Sequence, residues 1–102
     1  MMLFEVRSRL GRRIRTTRSY WKMVATKKHP AVAGMIEDVK LTLIDPDEVR
    51  RSRYDTSIHL YYKRLDDRFI CVAAKHLNED GFLVTAYLTD KIKRGEPVWK
   101  KK

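Results

Sequence analysis

The apolar residues of this chain change their period near Asp45. Before it they recur at helical spacing. Tyr20, Trp21 and Val24 share one helical face, with Thr17 or Ser19 placed to cap its start and Lys28 near its end. Pro30 fits the first turn of a second helix, where its missing N–H costs nothing. Val32, Met35, Ile36, Val39 and Leu43 then fall at i, i+3, i+4, i+7 and i+11, and Asp45-Pro46-Asp47 stops the run. Further upstream, residues 3–6 read as a short strand broken by Gly11. Residues 12–17 can resume as a second strand, giving a basic hairpin over 3–17.

From Val49 onward the period is two. Residues 49–54 form a short candidate strand. Ile58, Leu60 and Tyr62 alternate with His59, Tyr61 and Lys63 before a turn at Asp66-Asp67. Residues 69–77 (FICVAAKHL) are apolar on both faces, as a central strand would be. Asn78 to Gly81 is a strong turn signal, and residues 82–88 are the last strand. A basic tail follows over 91–102, with Trp99 as its anchor. This order predicts an α+β domain: N-terminal helices, with or without the short basic hairpin before them, packed on a four-stranded antiparallel β-sheet. At 102 residues the chain is expected to be one domain, divided into a basic arm or hairpin (1–17), a core (18–99) and a short basic tail (100–102).

The net charge is +10, and nine Lys and Arg with a single acid, Glu5, put +8 of it into residues 1–28. A basic segment of this density favours a polyanion through phosphate contacts and counterion release. Arg12, Arg13, Arg15, Arg18, Lys22, Lys27 and Lys28, joined by Lys91, Lys93 and Arg94 near the other end, are the candidate nucleic-acid-binding residues. The single cysteine, Cys71, excludes an internal disulfide and reads as a small buried hydrophobe. No run approaches the ~20 apolar residues needed to cross a membrane, and the basic N-terminus lacks a following apolar signal core. The expectation is a cytoplasmic protein with no membrane partner.

Candidate chemistry is narrowed mostly by exclusion. The sequence carries no CxxC pair and no HExxH, and His29, His59 and His76 are widely spaced, so no metal is expected. Four glycines make no phosphate-cradling loop, and no cofactor is expected. Metal-free RNA cleavage needs less: a base for the 2′-hydroxyl, an acid for the leaving 5′-oxygen, and a cation for the phosphate. His29 opens a helix. Lys75 ends an apolar strand in phase with Phe69, Cys71 and Ala73. Arg50, Arg51 and Arg53 surround Ser52, while Tyr61, Tyr62 and Tyr87 offer rings for stacking. Thr85, Tyr87 and Thr89 alternate on one strand face. Each of these has an ordinary structural role available, as cap, solvated edge or core piece. Their concentration after a basic arm is what favours function.

The run from His29-Pro30 through DPDEVRRS, LYYKR and FICVAAKHLN to GFLVTAYLTDKIKRGEPVW resembles the small phage- and toxin-associated nuclease domains of the barnase–EndoU–colicin E5/D–RelE class. The resemblance spans residues 18–99. It implies a helix pair before a four-stranded antiparallel sheet, and a metal-independent endoribonuclease acting on RNA. The polar positions it singles out as catalytic are His29, Arg51, Ser52, Tyr62, Lys75, Thr85 and Tyr87. It also implies an acidic antitoxin or immunity protein as a partner. Two other classes remain open on the residues themselves: a nucleic-acid-binding module without catalysis, and a protein-interaction or inhibitor domain.

Overall fold

A computed structural model describes residues 1–92 and 95–102. The described strands are β1 (Met2–Arg7), β2 (Arg13–Thr17), β3 (Glu48–Arg51), β4 (Ile58–Leu65), β5 (Arg68–Leu77), β6 (Asp80–Thr89) and β7 (Glu96–Lys100). They form one mixed sheet in the order β1-β2-β6-β5-β4-β3-β7. Between β2 and β3 lie helix α1 (Arg18–Met23), a π-type turn (Val24–Lys28), a 3₁₀ turn (Pro30–Val32) and helix α2 (Ile36–Ile44).

This corrects the expected α+β arrangement of N-terminal helices on a four-stranded antiparallel sheet. Strand dominates, the two α-helices are short, and the sheet is larger and not purely antiparallel. Three local causes account for the difference. First, the β1–β2 hairpin does not stand apart as an arm. β2 adds to β6 in parallel, pairing Arg13–Arg15 with Asp80–Phe82. Second, the stretch expected as a basic tail contains Glu96–Lys100, which pairs with β3 as an edge strand. Pro97 is tolerated there because an edge strand need not donate on its outer side. Third, the expected long second helix is split. Pro30 starts only a 3₁₀ turn, and α2 begins after Gly34 and Met35.

The apolar pattern survives this change of backbone, because Val32, Val39 and Leu43 are all fully buried. They pack with Trp21 and Val24 against Ile14, Val49, Tyr61, Ile70, Val72, Ala74, Leu83 and Ala86 of the sheet, in one cluster. Thr17 caps α1, its hydroxyl accepting from the Tyr20 N–H at 3.1 Å. Gly81 makes the close junction of β2, β6 and β5 possible. It pairs with Ile14 on one side and His76 on the other. A Cβ there would collide with the Lys75 carbonyl oxygen and lie 2.8 Å from Ile14 Cδ1.

Candidate nucleic-acid interface

Strand alternation sends Ile70, Val72 and Ala74 of β5 into the core cluster, so Cys71, Ala73 and Lys75 point to the opposite face. Register extends that face across neighbouring strands. Tyr62, Cys71 and Tyr87 lie opposite one another, as do Leu60, Ala73 and Thr85, and as do Ile58, Lys75, Phe82 and Arg15. Five of the seven residues singled out as catalytic therefore concern this face. Tyr62, Lys75, Thr85 and Tyr87 belong to it, and His29 reaches it from the end of the π-type turn, its ring 5.3 Å from that of Tyr87.

The five are not equally available. Tyr62 is completely buried and cannot meet a ligand; it supports Tyr87 instead. Burial pushes the Tyr87 phenol well above its usual range, and hydrogen bonding with Cys71 and Tyr62 adds to the effect. The phenol thus stays protonated and acts as a hydrogen-bonding group, not a base. Thr85 Oγ1 is buried with no hydrogen-bond partner. The Lys75 ammonium lies 3.9 Å from the Asp55 carboxylate, which also accepts from the Ser57 hydroxyl and N–H.

Arg51 and Ser52 fall elsewhere. Arg51 pairs in register with His59, on the core side of the sheet, and its guanidinium bridges to Glu96 of β7. Ser52 closes a turn, its hydroxyl accepting from the N–H groups of Tyr54 and Asp55. Neither joins the face that carries Lys75 and Tyr87.

The basic residues also divide. Arg18, Lys22, Lys27, Lys28 and Lys91 are exposed. Asp80 draws Arg13 to 2.9 Å and Arg15 to 3.9 Å, leaving both side chains about half exposed. Arg12 turns inward, donating to the Asn78 carbonyl, with its Nε buried and unpartnered. Lys93 and Arg94 lie outside the described residues. Arg9, in the loop before β2, covers the ring of Trp99, 5.0 Å from its centroid.

A second polar group, not foreseen from sequence, sits at the core side of the sheet. His59 and His76 stack at 3.8 Å between centroids, nearly parallel. The Tyr61 hydroxyl lies 2.8 Å from His76 Nε2 and donates to Ser8 Oγ at 2.8 Å. Burial lowers the pKa of both imidazoles, and the positive charge of Arg12 adds to it; His76 falls to about 3. Burial likewise pushes the Tyr61 phenol up to about 12. Such a weak base has little use near neutral pH. The geometry instead ties the hairpin, through Ser8, to β4 and β5. Only the alternation of His59 with Tyr61 hinted at this group, because His76 arrives from another strand.

Comparison of the chain with protein-family models, with curated proteins and with solved structures finds no match. Among the described residues no helix is long and apolar enough to cross a membrane, and no three His, Cys, Asp or Glu side chains converge as a metal site would require.

Proposed function

We propose that this protein binds single-stranded RNA and cleaves it without a metal, on the sheet face that carries Lys75, Thr85 and Tyr87. The observation that supports this reading most is the meeting of His29 with Tyr87 on that face. It sets an imidazole on the same side of two adjacent strands, β5 and β6, as a protonated phenol, an unpartnered hydroxyl and an ammonium. Exposed Lys22, Lys27 and Lys28 lead into His29 along the chain, and Arg15 lies in the same register row as Lys75, on the far side of Phe82. The phosphate backbone is thereby offered cations at both ends of the face.

In this reading His29 accepts the proton of the substrate 2′-hydroxyl. The 2′-oxygen forms a bond to the adjacent phosphorus as the bond from phosphorus to the 5′-oxygen breaks. Lys75 meets the charge that gathers on the non-bridging oxygens, and Thr85, its Oγ1 buried, supports the strand face beside it. The leaving 5′-oxygen takes a proton from solvent water and His29 returns its own to solvent, giving a 2′,3′-cyclic phosphate and a free 5′-hydroxyl. Tyr87 holds the imidazole in place. The resemblance to the toxin-associated nuclease class agrees with this chemistry, although the sheet departs from that class's four-stranded antiparallel form. Binding without cleavage is the second reading, and the Asp55 carboxylate beside Lys75 favours it by competing for the ammonium.

Removing one such charge-stabilising group typically costs about 100- to 1000-fold in rate. Lys75→Ala should therefore slow single-turnover RNA cleavage by about two orders of magnitude, with RNA affinity changed only a few-fold. Equal rates in wild type and Lys75→Ala would remove this face from the chemistry.

A further inference from the structure

An apolar opening lies in the fork between β2 and β6. The two strands pair only from Arg13 to Arg15 and from Asp80 to Phe82, then part as the chain turns into α1 at Arg18. The space between them, about 430 Å³, is lined by Met2, Arg15, Thr16, Tyr20, Phe82 and Leu83. That falls within the range of small-molecule sites, mostly apolar with a few polar groups.

Three details distinguish it from a packing fault. Phe82 is a large aromatic residue left 39% exposed at its edge, on the same face as Lys75. The Tyr20 ring is fixed, because its hydroxyl donates to the Val84 carbonyl at 2.6 Å. Thr16 is buried, yet its Oγ1 has no hydrogen-bond partner. An unpaired buried hydroxyl is costly unless something supplies its partner. Two arginines stand at the rim: Arg15 lines the opening with the Asp80 carboxylate 3.9 Å away, and the exposed Arg18 follows it along the chain.

We infer that this fork takes one unstacked nucleobase of a single-stranded RNA. Phe82 and Tyr20 supply aromatic surface, Thr16 Oγ1 supplies a hydrogen bond to the base edge, and Arg15 and Arg18 hold the flanking phosphates. The inference rests on the RNA-binding reading above and deepens it, since the fork adjoins the row that carries Lys75. Other apolar occupants would not need the arginine rim.

The test uses the 102-residue chain and 2′-O-methyl RNA hexamers, which the proposed chemistry cannot cut. One hexamer carries bases throughout, and its counterpart is abasic. Fluorescence anisotropy should show the base-carrying hexamer binding the wild type about tenfold or more tightly than the abasic one. Phe82→Ala should reduce the first affinity to the level of the second and leave the abasic affinity unchanged. Thr16→Val, close in volume, should weaken only the base-carrying hexamer, by a few-fold. Equal, salt-sensitive binding of both hexamers by wild type would overturn the base pocket and leave the RNA reading intact. Binding of neither would overturn both.

Discussion

His59 and His76 govern how the molecule meets acid. Their folded pKa values lie below the ordinary 6.5, so the unfolded chain takes up protons that the folded chain resists. Stability is then complete above about pH 6.5 and falls as pH drops toward 3. Both rings are partly exposed, so solvent screening trims the effect to roughly 1 kcal/mol by pH 5, or about 4–8 °C in Tm. Thermal unfolding at pH 7 and pH 5 should show that loss, and His76→Gln should show a distinctly smaller one. Asp45 and Asp55, with pKa values lowered from 3.8 mainly by hydrogen bonds from Lys101 and Ser57 respectively, add their own losses only at lower pH. At this scale period two put Thr85, Tyr87 and Thr89 on one strand face and Lys75 in phase with Cys71 and Ala73, while the joining of these two sets on one surface came only with the register of β5 and β6. It could not show that Tyr62 is sealed, that Arg51 points to the other side, or that His76 meets His59. Those facts depend on register between strands, which no single segment encodes.

Elements were legible where their signal is local. The alternating segments from Val49 to Leu88 occupy β3 through β6, and Asp66 and Asn78 take the left-handed backbone their turns require. The parallel docking of β2 on β6 was not legible, because it joins residues far apart along the chain. β7 was hidden by its charge, and the split second helix by an apolar spacing that a broken backbone serves equally well. Gly81 tests the β2 junction. Gly81→Ala puts a methyl against the Lys75 carbonyl and Ile14, and should cost about 1–3 kcal/mol in denaturant unfolding. Amide exchange in β2 should quicken most. Gly34→Ala, which meets nothing within 4 Å, should be neutral or slightly stabilising. Similar losses in both variants would mean that the junction is not tight.

Across the whole molecule, several acids are already engaged. Asp80 faces Arg13 and Arg15, Asp45 faces Lys63 and Lys101, Glu96 faces Arg51, and Glu48 faces Arg50. Much of the +10 net charge is therefore left on exposed residues such as Arg7, Arg18, Lys22, Lys27, Lys28 and Lys91. That distribution suits a phosphate backbone drawn across the face between the π-type turn and the β2–β6 fork. The most direct test of this account is incubation of the purified protein with single-stranded RNA in EDTA, followed by analysis of the new ends. The fragments should end in 2′,3′-cyclic phosphate and begin with a 5′-hydroxyl, and form as fast in EDTA as in magnesium. RNA left intact while still bound in a salt-sensitive complex would contradict it.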